Sequence, residues 1–352
     1  MSGGDVTRDG LRGVRPDRDA MTGNLDGERR KPGRRRRGRA EQQMVPDAEF
    51  TSYYGRPVIK APVWEAPDIP GYIFLGGLAG ASSMLAAGAD LSGRGELAKV
   101  CKVASLGAIS LSALALVHDL GKPSRFLNML RTLKVTSPMS VGSWLLAAYG
   151  PATGVAALSS VTGFLPPLGA AATAGAAALG GPVAAYTGVL LADTAVPAWH
   201  GGYREMPFVF TGSGAAAAGG LALGLADHGI PMRQLGPARA FGVLGAALEL
   251  VASEAMEKRL GLVAEPYQKG NKGAYYVKAG KALTALGAVG AVASMRAAPL
   301  TRAAGAVLFL GSLATKWGIF HAGFASADDP KYTVVPQRDR IERGEQARAT
   351  AD

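Results

Sequence analysis

The feature that most limits what this chain can become is a series of long apolar runs almost free of charge. They are rich in Ala, Gly, Leu and Val, and eight of them are close to membrane length: Ile69–Asp90, Leu97–His118, Pro138–Val161, Ala170–Trp199, Pro207–Ala226, Pro237–Glu257, Ala279–Met295 and Leu300–Phe320. About 20 residues at ~1.5 Å each are needed to cross ~30 Å of hydrocarbon. Period-two alternation is absent and Ala and Leu dominate, so the runs predict helices rather than barrel strands. The expected fold is all-α, a polytopic membrane protein with a bundle of eight transmembrane helices over residues 69–320 and a disordered basic N-terminal tail. Closely spaced glycines (Gly76 and Gly80, Gly220 and Gly224, Gly242 and Gly245) suit close helix approach.

Charge placement sets an expected orientation. The chain carries a formal +11, and its charged residues, 18% of the total, avoid the apolar runs. With the N-terminus in the cytoplasm, the inner connections hold Lys122, Arg125, Arg131, Lys134, Arg204, Lys258, Arg259, Lys269, Lys272 and Lys278. The outer ones hold chiefly Arg94, Arg233, Arg296 and Arg302. That bias follows the positive-inside rule and predicts a multi-pass protein of the cell membrane with both termini cytoplasmic. It also argues against a nucleic-acid partner, because the basic residues sit in a tail and in particular loops. Residues 1–43 are too poor in apolar side chains to offset ordering entropy and are expected to be a disordered tail that touches anionic membrane lipid. Residues 44–68 interleave Phe50, Tyr53, Tyr54 and Trp64 with prolines and predict an interfacial strap; residues 321–352 read as a polar tail.

The most informative stretch runs from His118 to Trp144. Gly121 and Pro123 stop the second span. Phe126, Met129, Leu130 and Leu133 then follow helical spacing, with Arg125, Asn128, Arg131 and Lys134 on the other face, which predicts a basic amphipathic helix in the interface plane. Ser137 and Pro138 supply an N-cap and a first-turn proline for the third span. Together Asp119-Leu120-Gly121-Lys122-Pro123, Arg125-Phe126 and Ser137-Pro138-Met139-Ser140-Val141-Gly142-Ser143-Trp144 resemble the NrfD/PsrC-type membrane subunits of polysulfide reductase-like complexes. Lys122 stands where the family has Arg, keeping charge and losing bidentate geometry. Tyr186-Thr187-Gly188 with Leu190-Leu191, and Pro197 with Trp199, extend the likeness. The resemblance implies a subunit, inactive alone, that binds quinone or quinol (menaquinone or ubiquinone). It implies docking of a ferredoxin-like iron–sulfur subunit that serves a molybdenum-type catalytic subunit, and no haem or iron–sulfur cluster in this chain. The lone cysteine, Cys101, and four histidines without a buried axial pair agree with that. Cys101 is expected to be a small buried hydrophobe.

Ionisable residues within membrane helices are costly and mark function. In the expected topology they gather toward the inner side. His118 and Asp119 are the first candidates for proton exchange; Asp193 and Glu249, with Glu254, are candidates for a proton path. Tyr186 is the candidate donor to a quinone carbonyl, with Arg125, Asn128 and Trp144 around the ring. Lys316 is the expected counter-ion of one of the acids. Glu257 is expected to be solvated, and Trp199, like Trp144, to lie in the interfacial aromatic belt. A proton-coupled transporter would explain Asp193, Glu249 and Lys316 without a quinone, and a purely structural anchor would need none of them.

Overall fold

The computed structural model describes residues 5–7, 10–12, 58–59, 62, 64–119 and 128–349. The chain forms two compact units, one of Met1–Pro62 with Phe324–Asp352 and one of Val63–Gly323. In the first, strand β1 (Asp5–Thr7) pairs antiparallel with β2 (Gly10–Arg12), Val6 opposite Leu11. Most of the tail expected to be disordered, and most of the expected strap, lies outside the described residues.

The second unit is a helix bundle. Its helices are α1 (Asp68–Leu91), α2 (Gly95–Asp119), α3 (Pro138–Thr162), α4 (Pro166–Ala192), the short α5 (Pro197–Gly201), α6 (Met206–Gly224), α7 (Gly236–Leu260), the short α8 (Glu265–Gln268), α9 (Lys272–Ala293) and α10 (Ala298–Asp328). Helix α11 (Lys331–Ala349) occupies much of the expected polar tail, within the first unit. Six helices, α1, α2, α3, α4, α6 and α10, are long and apolar enough to cross a membrane. The expected sixth and seventh spans, Pro237–Glu257 and Ala279–Met295, form helices α7 and α9, with more charge along them. Three of those charges are turned inward: Arg239 Nε donates to Ala291 O at 2.7 Å, and Lys281 of α9 pairs with Glu257 of α7 at 2.7 Å.

Local signals explain the boundaries. Ser137 caps α3, its Oγ accepting from Ser140 N at 3.4 Å, and Pro138 follows as expected. Helix α3 ends at Gly163, whose φ of 72° is the left-handed conformation that closes helices. The expected span Ala170–Trp199 is shorter than predicted. Helix α4 stops at Ala192, and Pro197 starts a separate short helix at a first-turn position, where its missing N–H costs nothing. The expected amphipathic interface helix also stops early. Asn128 and Met129 are helical, but Arg131–Lys134 is irregular, pinned by Ser140 Oγ, which accepts from Lys134 N (3.0 Å) and donates to Thr132 O (3.1 Å).

Burial is graded across the bundle. In α1 and α6, 78% of the most apolar window is buried, against 28% in α2, so α1 and α6 form the centre. Glycines let the central helices touch: a Cβ on Gly80 of α1 would lie 2.3 Å from Gly180 O of α4, and one on Gly219 of α6 would lie 2.5 Å from Gly242 Cα of α7. Cys101 is buried in a core cluster with Leu85, Leu97 and Leu223. Large apolar side chains point outward instead: Leu111 and Leu114 on α2, Leu158 on α3, Leu244 and Val251 on α7, Leu286 and Val289 on α9. Such a surface suits lipid rather than water.

Candidate functional site

Successive antiparallel helices place the start of α1 and the ends of α2 and α4 at one face of the bundle, called here the first face. The second face carries the turns at 92–94 and 163–165. Two buried polar groups lie in the half nearer the first face. One is a tyrosine pair. Tyr72, four residues into α1, and Tyr186, six residues before the end of α4, join hydroxyl to hydroxyl, with ring centroids 6.5 Å apart and planes at 74°. At ~1.5 Å per residue their Cα atoms lie ~6 and ~9 Å below that face. Both are buried, at 3% and 8% exposure. Helix α3 brings Gly142 against the Tyr186 ring, where a Cβ would sit 2.6 Å from Cε2. Helix α2 brings Ser112, whose Oγ donates to Tyr72 O at 3.0 Å. The Gly and Ser positions of the Ser-Pro-Met-Ser-x-Gly-x-Trp motif therefore have physical roles here: Gly142 makes room for Tyr186 and Ser140 fixes the preceding loop. Beside Tyr186, the Thr187 hydroxyl is fully buried without a hydrogen-bond partner.

The second polar group joins α6, α7 and α10. Glu249 and Lys316 are each 1% exposed. Glu249 Oε1 accepts from Thr315 Oγ1 at 2.5 Å, while Oε2 is buried without a partner. Lys316 Nζ donates to Phe210 O at 3.3 Å and lies 3.5 Å from the centre of the Phe210 ring. Ser213 and Ser312 pair alongside at 2.8 Å. The two groups are linked through packing, since a Cβ on Gly188, two residues past Tyr186, would meet the Phe210 ring at 3.2 Å.

The other expected residues are more scattered. His118 pairs with Asp68 at the start of α1 (Nδ1–Oδ2 2.6 Å), and its side chain is 79% exposed. Asp119 ends α2, half-buried. Asp193 is exposed at the end of α4, and Asn128 and Trp144 are exposed as well. Arg125 lies outside the described residues. Glu254 is exposed between Lys258 and Lys281. Two expectations are corrected. Glu257 is buried beside Lys281 and accepts from Gln268 Nε2 at 3.2 Å, because α9 closes over that side of α7. Trp199 is fully buried rather than in an interfacial belt: its Nε1 donates to Ile319 O at 2.8 Å and its ring stacks on Trp64 at 5.6 Å. The partners Tyr72 and Asp68 were not foreseen. Each lies near the start of an apolar run, where a tyrosine or a first-turn acid is ordinary.

The first face is held by Arg259, which grips Glu205 in a fork (Nε–Oε1 2.7 Å, Nη2–Oε2 2.5 Å) and also donates to Gly201 O at 2.7 Å. The guanidinium holds the Glu205 carboxyl below the usual carboxylate range. Among the described residues no cluster of His, Cys, Asp and Glu is built to hold a metal ion.

No curated protein matches the chain. Residues 58–229 match the family model described as polysulphide reductase, NrfD, a span that holds α1 to α6 with the tyrosine pair and stops short of Glu249 and Lys316. The chain is a multi-pass membrane protein whose residues 58–229 match the NrfD family of membrane subunits.

Proposed function

We propose that this chain is the quinone-reactive membrane subunit of a multi-subunit oxidoreductase. The observation that carries the reading is the buried Tyr72–Tyr186 pair. A phenol has one donor and two acceptor sites. In a pair, one hydroxyl donates to the other, and the second keeps its own proton free to reach a carbonyl oxygen. Thr187, the next residue on α4, adds a buried hydroxyl without a partner, and the helices around the pair are apolar, as a quinone headgroup requires.

A quinone, when bound, supplies two-electron, two-proton chemistry. The chain's own part is to bind, orient and exchange protons. Tyr186 hydrogen-bonds the carbonyl, Tyr72 orients Tyr186, and Gly142 keeps the ring in place. His118 with Asp68, and Asp119, exchange protons with water at the first face. Glu249, with its free Oε2 and Lys316 nearby, is suited to hold a proton in the interior. Electrons pass to or from a ferredoxin-like iron–sulfur subunit, which relays them to a molybdenum-type catalytic subunit; NrfD-family subunits work in complexes of this kind. The outward Leu244, Val251, Leu286 and Val289 support α7 and α9 as the sixth and seventh of eight crossings. The basic residues on the first-face connections support a cytoplasmic first face in the cell membrane.

Affinity purification of the full chain in mild detergent, followed by mass spectrometry, tests the assembly. A cysteine-rich ferredoxin-like chain should co-purify in near-stoichiometric amount. A preparation that oxidises or reduces no quinol and carries no such chain would leave a transporter as the better reading.

A further inference from the structure

Glu249 and Lys316 carry opposite charges in the same buried region, yet they do not close on each other. A buried charge without compensation is costly, so such groups normally meet. Here Glu249 Oε2 has no hydrogen-bond partner, and the Lys316 ammonium donates to Phe210 O instead. Distance along the bundle does not explain the gap. Thr315, the residue before Lys316, reaches Glu249 Oε1 at 2.5 Å. Gly212, two residues after Phe210, lies against Glu249, where its Cβ would sit 3.1 Å from Cα.

The contacts of Phe210 supply the reason. Its carbonyl accepts from Lys316 Nζ at 3.3 Å, which is long for an N–H···O bond and a weak hold by itself. Its ring centre lies 3.5 Å from the same nitrogen, so the negative face of the ring holds the ammonium as well. Phe210 is fully buried and has little room to move. A Cβ on Gly188 of α4 would meet the ring at 3.2 Å, and one on Gly77 of α1 would meet the carbonyl at 3.9 Å. Phe210 is therefore set between the two helices that carry Tyr72 and Tyr186, and it touches the buried charge group on its other side.

We infer that Phe210 is a positioning residue for the buried carboxyl: its ring and carbonyl hold the Lys316 ammonium off Glu249 and leave Oε2 open. The part this plays in turnover rests on the function proposed above, in which Glu249 holds a proton. An ammonium seated on Oε2 would occupy the place that the proton takes. Removing the ring lets Lys316 turn to the carboxylate and close it.

Two measurements on the purified complex with its associated subunits test this. Phe210→Leu removes the ring and keeps the backbone carbonyl. In a cryo-electron microscopy map of that variant, Lys316 Nζ should lie within hydrogen-bond distance of Glu249 Oε2. An ammonium that stays on the carbonyl of residue 210 would overturn the inference. If Phe210→Leu does not assemble, trifluorophenylalanine introduced at position 210 serves in its place: it nearly keeps the shape of Phe and weakens the negative face, and the same shift is expected. The second measurement is steady-state oxidation of a water-soluble quinol. Phe210→Leu should lower kcat about fivefold or more with KM kept within about twofold. Adding Lys316→Met should then recover at least about half of the lost rate, because the blocking ammonium is gone. A purely structural role predicts losses that accumulate, and that result would overturn the inference. If the parent complex turns over no quinol, the proposed function fails, and the position of Lys316 in the two maps decides the role of Phe210 without it.

Discussion

Lys316→Met should lower the melting temperature of the purified protein by roughly 5 °C, and adding Glu249→Gln should restore most of it. Removing one member of a buried charge pair costs about 3–5 kcal/mol, because the remaining charge is left without compensation. For a chain of this size each kcal/mol is worth roughly 1–2 °C. Glu249 and Lys316 are each 1% exposed, and Thr315, the residue before Lys316, is hydrogen-bonded to Glu249 at 2.5 Å. The two charges thus share one polar environment between α7 and α10. The double variant replaces both by neutral groups of similar size, which is often nearly neutral. A melting series of the two single variants and the double variant measures the coupling. Losses that simply add would show that the charges are independent.

The second large effect is expected at Gly80. Gly80→Val should leave little or no folded protein, while Gly88→Ala on the same helix should be neutral. At Gly80 a Cβ would lie 2.3 Å from Gly180 O and 3.0 Å from Ala184 N, both backbone atoms that cannot rotate away. At Gly88 a Cβ would meet nothing within 4 Å. Overpacking by a methylene or two commonly costs about 1–3 kcal/mol, and a clash with backbone at a central crossing exceeds that. The expected change reaches beyond stability. Helices α1 and α4 carry Tyr72 and Tyr186, and parting them separates the two hydroxyls. Gel filtration and thermal melting of the two variants distinguish a steric crossing from a general intolerance of larger residues in α1.

Much of this was legible in the sequence because membrane helices announce themselves through length and composition. The start of α3 was readable in Ser137-Pro138, since capping is local chemistry. Tyr186, Glu249 and Lys316 stood out as polar groups in apolar runs, but which acid Lys316 would lie near was not readable. What was not readable depends on which face of one helix meets another. Tyr72 gave no signal of its own, and became meaningful only when the Gly80–Gly180 crossing brought α1 onto α4. His118 was expected to act with its neighbour Asp119, yet adjacent residues on a helix point apart, and its partner is Asp68 on another helix. Trp199 was placed in an aromatic belt on the assumption that the fourth span ran through it. Once Pro197 opens a separate helix, the indole turns inward to Ile319 O.

The account stands or falls on whether a quinone headgroup meets the tyrosine pair. An azido-quinone, photoactivated on the purified complex and mapped by peptide mass spectrometry, should label α1 and α4 around Tyr72 and Tyr186. Excess quinone should compete, and Tyr186→Phe should weaken binding about threefold to tenfold, the worth of one hydrogen bond. Label confined to lipid-facing residues such as Leu244 and Val251, or binding unchanged in Tyr186→Phe, would contradict it.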